Sequence, residues 1–275
     1  MISAKLSALL LPLMLLGCSA LPGQQSRSTV EVSEISTPYQ LDQYETILST
    51  YVNNEGLVDY AGLQADRESL DRVVASFGAL SPETYDTWDR DEQVAFLINA
   101  YNVFTLQSII DQNPLKASIR DIPGVWRVRE FAIAGDEKTL DTIEHGVLRK
   151  DFDEPRIHAA LVCAAISCPP LRSEPYRGDG LDQQLDDQVE QWLASDHGLM
   201  VDPDSDRVAI SALFEWFGED WIPQYGNDQF PGSDTEKAAL NFISTYVDDE
   251  TRTYLESGTY DITYLNYDWS LNHQG

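Results

Sequence analysis

Apolar positions recur at helical spacing over most of the chain. Leu41, Tyr44, Leu48 and Tyr51 predict an amphipathic helix over residues 40–52, ended by the turn Asn53-Asn54-Glu55-Gly56. Leu57-Val58-Asp59-Tyr60 reads as a short extended piece. Leu63, Leu70, Val73, Val74 and Phe77 predict a second helix closed by Gly78, and Ser81-Pro82-Glu83 places an N-cap before a proline at the first helical position. The strongest pattern runs from Asp89 to Gln112 and stops at Asn113-Pro114. Its middle, Val94 to Phe104, is apolar on nearly every side, which predicts a central helix buried all round. Asn99 and Asn102 lie on one face of it. Each must find partners, because an unpaired buried amide costs ~1–3 kcal/mol.

From Val128 the period changes to two. Val128, Glu130, Ala132 and Ala134 alternate with Arg129, Phe131, Ile133 and Gly135, predicting a strand and a turn at Gly135-Asp136. Thr139 or Asp141 caps a short helix reaching Arg149, and Arg156 to Cys163 reads as a strand. Leu181, Leu185, Val189 and Trp192 predict a helix over residues 181–194. A strand at Val208-Ala209-Ile210, a Ser211-capped helix, a helix from Thr235 to Val247 and a strand from Tyr260 to Tyr264 follow. Helices dominate and strands are few, so the fold class is α+β: one mostly helical domain with a small sheet, over residues 39–275. No repeat or internal linker divides it.

The first residues stand apart. Lys5 supplies a thin positive region, and Leu6 to Leu16 is an apolar run too short to span a bilayer. It ends in Leu15-Leu16-Gly17-Cys18, which resembles the lipobox of bacterial lipoproteins. That resemblance implies a signal peptide over residues 1–17, lipid on Cys18 and a membrane as the partner of that lipid. Ser19, in place of Asp, implies the outer membrane, with the domain facing the periplasm. Residues 18–38 then read as a flexible tether rich in Ser, Gln, Thr and Pro.

The formal charge of −28 excludes a general nucleic-acid binder. The acid is unevenly spread. Residues 116–177 hold ten Lys and Arg against ten Asp and Glu, so that stretch is neutral and the rest of the chain carries the whole excess. The candidate chemistry lies inside it. Glu144, next to His145, falls within the apolar face set by Leu140, Ile143, Val147 and Leu148. A carboxylate there is either a reactive group or half of a buried Glu–Arg pair that fixes packing. His158 is either a base or a satisfied core histidine. In Cys163-Ala164-Ala165-Ile166-Ser167-Cys168-Pro169-Pro170, export allows a Cys163–Cys168 disulfide closing a tight loop. The alternative is a reactive thiolate at Cys163, lowered in pKa by Arg156, Arg172 or a nearby histidine. Motifs for metalloproteases, Ser hydrolases and phosphate loops are missing, and no cofactor or metal is implied.

Several blocks resemble, in order, the family called domain of unknown function 547. They are Val58-Asp59-Tyr60-Ala61-Gly62-Leu63, Phe96 to Asn102, Leu140 to Arg149, Arg156 to Cys163, Ser167 to Arg172 and Phe214 to Trp221. The resemblance implies a single domain over roughly residues 40–270, without an established activity. Plant-like members carry Ser-Ser-Pro where this chain has Ser167-Cys168-Pro169 and keep a Cys at the position of Cys163, which implies that Cys163 matters apart from any disulfide. The order of a central helix followed by a His-bearing strand also resembles papain-like and transglutaminase-like thiol enzymes, although their helix-start cysteine is missing. Two functions follow. One is a thiol-dependent hydrolase or transferase with Cys163 as nucleophile, His145 or His158 as base, Glu144 as its orienter, Asn99 or Asn102 as polarising amide, and Arg156 and Arg172 facing substrate. The other is a non-catalytic envelope binding or scaffold protein with a structural disulfide. A dithiol redox protein is a third possibility.

Overall fold

A computed structural model describes residues 39–274. The expected signal segment, Cys18 and the expected tether fall outside the described residues. Within them, twelve short and long α-helices surround one two-stranded and one three-stranded sheet. This is the mostly helical α+β architecture that the hydrophobic pattern predicts.

The central helix spans Arg90–Ile110, and Asp89 caps it by accepting a hydrogen bond from the backbone N–H of Glu92. It is buried continuously from Val94 to Ile110, so it has no solvent stripe. Its length and composition would let it cross a membrane, yet the rest of the fold encloses nearly all of it. The helices Leu41–Tyr51, Tyr60–Ala65 and Arg67–Ala79 pack on one side. The predicted second helix is thus two helices broken at Asp66. Against the same core lies a hairpin of β1 (Glu130–Ile133) and β2 (Asp136–Thr139), with Phe131 stacked on Phe104 at 4.3 Å. Its two-residue turn is Ala134-Gly135, both at positive φ as tight hairpins require. The turn therefore sits one residue earlier than the pattern placed it.

A second apolar core gathers around Trp192, Phe214, Trp221 and Phe242. It is closed by the helix Asp234–Ser244, whose Ser233 and Glu236 form a reciprocal capping box. Beside it lies a sheet of β3 (Leu199–Asp202), β4 (Arg207–Ile210) and β5 (Asp261–Tyr264), with β4 antiparallel to β3 and parallel to β5. The helix Leu181–Leu193 joins the cores, giving Leu181 and Leu185 to the first and Val189, Trp192 and Leu193 to the second.

The turn at Gly56 locks the cysteine loop from outside. Gly56 has φ +75°, and a Cβ there would sit 2.5 Å from Pro170 Cβ and 2.6 Å from the Leu171 nitrogen. Left-handed backbone costs a non-glycine residue ~1–2 kcal/mol, and the collision adds to it. We expect Gly56→Ala to lower unfolding free energy by about 2 kcal/mol or more, read from urea titration. A change within error would show that the loop yields freely.

Candidate functional site

Asn102 fixes the segment that carries the candidate chemistry. Its amide nitrogen donates to the Ala160 carbonyl at 3.0 Å, and its amide oxygen accepts from the Val162 N–H at 2.9 Å. Between those clamps the chain changes from a helical turn, Ile157–Ala160, to an extended run leading to Cys163. His158 therefore sits on a helical turn and not on the predicted strand. The run had no strand to pair with, and its backbone groups are satisfied by Asn102 and by local bonds such as Leu161 N–H to Ile157 O. The helix-then-strand order of papain-like enzymes is accordingly not reproduced.

His158 is almost fully buried. Its ring stacks on Phe217 at 4.4 Å and tilts against Trp221 at 5.0 Å. Nε2 lies 2.7 Å from Asp220 Oδ2. Arg149 grips the same carboxylate with two hydrogen bonds, Nε to Oδ2 at 2.6 Å and Nη2 to Oδ1 at 2.9 Å. Burial pushes the Asp220 carboxyl up, but the bonds from His158 and Arg149 outweigh it and hold the group well below the ordinary carboxylate range. An ionised Asp220 accepts the proton on Nε2, which leaves Nδ1 as the ring nitrogen with a free lone pair in the neutral imidazole.

Glu144 and His145 project from Thr142–Leu148, which winds as a π-helix where the sequence pattern predicts an ordinary helix. Such wide turns concentrate at functional sites. Arg149 Nη1 lies 2.9 Å from His145 Nδ1. A guanidinium can only donate, so that nitrogen accepts and its lone pair is occupied. Glu144 orients neither histidine; its charge acts instead on the Tyr101 phenol of the central helix. Burial first, and the Glu144 charge second, push Tyr101 well above its ordinary pKa, and the same two causes raise Tyr267.

Cys163 and Cys168 are joined as a disulfide with Cα atoms 6.1 Å apart. The loop turns at Ala164, which has φ +60°. It is pinned from the far end of the chain: Ile166 N–H donates to Ser270 O, Ser167 N–H to Asp268 O, and Asn272 N–H to Ala164 O. That terminal segment also brings the Tyr267 hydroxyl to 3.1 Å from Cys163 Sγ.

These pieces border one cavity of about 560 Å³, lying where the two cores meet. Glu144, His145, His158, Cys163 and Cys168 all line it, although up to 24 residues separate them in sequence. The other walls are largely aromatic, with Trp126, Trp216, Phe217, Tyr267 and Trp269 prominent. A volume of this size and an apolar lining with a few convergent polar groups suit a small-molecule ligand. Among the described residues, no three His, Cys, Asp or Glu side chains gather as a metal site.

The structure keeps four other predicted residues out of the cavity. Asn99 spends its amide on the Tyr39 hydroxyl and on the backbone of Tyr176, and Asn102 spends its amide on the clamp described above. Neither amide is left to polarise a substrate. Arg156 is held by Glu154, Asp182 and Asp186, and Arg172 by Glu174 and Asp187. Both arginines cross-link the fold and do not face the cavity. Sequence reasoning missed Asp220, Arg149, Tyr101 and the aromatic walls. Asp220 had one visible signal, a carboxylate inside the run Trp216-Phe217-Gly218-Glu219-Asp220-Trp221.

The Asp220 contacts set an acid limb. Because its folded pKa is depressed, their contribution is complete above the ordinary Asp value of about 4 and is lost as pH falls below it. Asp220→Asn should cost about 2–4 kcal/mol at pH 7, since it strands Arg149 and His158 in a half-buried place. The gap from the parent should then narrow steadily in urea titrations below about pH 4. A gap that stays constant down to pH 2.5 would contradict the assignment.

Comparison with known proteins gives one match. Residues 85–193 fit the family model described as protein of unknown function, DUF547. No curated protein and no solved structure matches the chain. Asp220, Trp216, Tyr267 and Trp269 lie beyond the matched stretch. The part that carries the central helix, Glu144, His145, His158 and both loop cysteines is thus similar to the DUF547 family.

Proposed function

We propose that this protein is a lipid-anchored envelope enzyme, a thiol-dependent hydrolase or transferase that acts on a small ligand held in the cavity between the two cores. The observation that carries the reading is the convergence of Cys163, His158 and Glu144 on one half-open space with aromatic walls. In this reading the Cys163–Cys168 bond is the resting form. A dithiol reductant takes up the bond, is itself oxidised to a disulfide, and leaves two thiols. The Cys163 thiol then gives its proton to His158, and its sulfur attacks the carbonyl carbon of an acyl substrate. The leaving group departs with that proton, and water or a second nucleophile releases the acyl group from sulfur. His158 is preferred over His145 as base because Asp220 fixes its tautomer, whereas Arg149 already occupies the His145 lone pair. Anchoring would come through lipid on Cys18, with the domain at the outer membrane facing the periplasm.

A second reading, a non-catalytic binding protein with a structural bridge, is favoured by the disulfide itself. Thiol chemistry separates the two. Under the enzyme reading, dithiothreitol exposes Cys163 to iodoacetamide in the folded protein, and Cys168→Ser makes that labelling independent of reductant. Turnover of p-nitrophenyl acetate should appear with the thiol, vanish in Cys163→Ser and fall about 10²–10⁴-fold in His158→Ala. Equal turnover in the Cys163→Ser variant, or alkylation only after unfolding, would leave the binding reading standing.

A further inference from the structure

The cavity also restricts what enters it. Trp126, Trp216, Tyr267 and Trp269 form a continuous aromatic wall. Tyr267 lies 4.6 Å from Trp269 and 4.7 Å from Trp216, and Trp126 meets Trp269 at 6.2 Å, centroid to centroid. Ring faces carry partial negative charge and attract cations. The wall already displays that property, because the Arg120 guanidinium lies over Trp269 at 5.1 Å.

Glu144 lines the same cavity as these rings. Its charge acts on the Tyr101 phenol, and among the described residues no Lys, Arg or His nitrogen lies within ion-pair distance of it. The other charges at the cavity are matched or directed elsewhere. Asp141 is paired with Arg127 at 3.0 Å, and Arg149 gives its hydrogen bonds to Asp220 and His145. Arg120 is exposed and lies over Trp269. The cavity therefore presents a carboxylate that has no salt-bridge partner among the described residues and feels the Arg149 charge only from a distance, in a lining rich in aromatic rings, inside a chain of formal charge −28 that draws cations toward it. A carboxylate next to aromatic rings is the chemistry that selects ammonium groups.

We infer that the ligand of this cavity carries an ammonium group on an apolar or flat body, with the cation against Glu144 and the body along Trp216 and Tyr267. The inference rests on the cavity being the working site, as proposed above, but not on thiol chemistry. It is therefore tested with the disulfide intact. Three tryptophans in the wall supply the signal, and three probes share a phenyl body but carry a cationic, a neutral apolar or an anionic group: benzyltrimethylammonium, neopentylbenzene and benzenesulfonate.

Saturable quenching of tryptophan fluorescence by the cation is expected, at concentrations about tenfold or more below those the neutral and anionic probes need. Glu144→Gln should remove that preference. Trp216→Ala, at a ring 44% exposed and hence replaceable without unfolding, should weaken the cation several-fold. Benzenesulfonate binding as tightly as the cation, or unchanged cation binding in Glu144→Gln, overturns the inference. If the Gln variant does not fold, the charge series on the parent protein decides alone. Cation binding without any thiol turnover would uphold this inference while removing the catalytic reading.

Discussion

The central helix is buried from Val94 to Ile110, and most of the polar groups it carries there are satisfied by what packs against them, Thr105 Oγ1 and Gln107 Oε1 being the exceptions. That constraint organises the rest of the molecule. Asn99 holds the backbone at Tyr176, and Asn102 holds the bend between His158 and Cys163. Gln107 donates to Asp71 and Asp111, joining an ion-pair cluster with Arg67 and Arg129. Tyr101 meets Glu144. Each buried amide or hydroxyl left unpaired would cost about as much as a lost core methyl group or more, so the helix dictates where four separate chain segments dock.

The cavity exists because two cores meet without merging. Leu161 and Cys163 reach it from the first core, Leu213 and Phe217 from the second, and Tyr267 packs against both. Asp220 ties the junction. It comes from the later part of the chain and is held by His158 and Arg149 from the earlier part, which makes the histidine's position depend on both cores. Bulky rings wedged against one another resist collapse into the space, and the disulfide with its backbone bonds to residues 268–272 keeps the far wall in place.

The neutral stretch over residues 116–177 has a structural explanation. Its arginines are drawn to acids that lie mostly outside it: Arg129 to Asp111, Arg149 to Asp220, Arg156 to Asp182 and Asp186, and Arg172 to Asp187. The positive charge that looked available for a substrate serves to fasten this segment to the acidic remainder of the chain. What is left inside the cavity is a carboxylate, Glu144, and not a surplus of base.

The sequence by itself determined the fold class, the central helix and the need to satisfy Asn99 and Asn102, because period and burial are local properties of the pattern. It also brought Glu144, His145, His158 and Cys163 forward as candidates, since charged and sulfur-bearing residues inside apolar runs are visible without coordinates. It did not reveal that Glu144 would face Tyr101, that Asp220 would hold His158, or that Arg156 and Arg172 would be consumed by ion pairs. Those outcomes depend mainly on partners 15 to 62 residues away or on another helix altogether. Hydrophobic periodicity says which side of an element is buried but not what it is buried against, and only the packing of the two cores decides that.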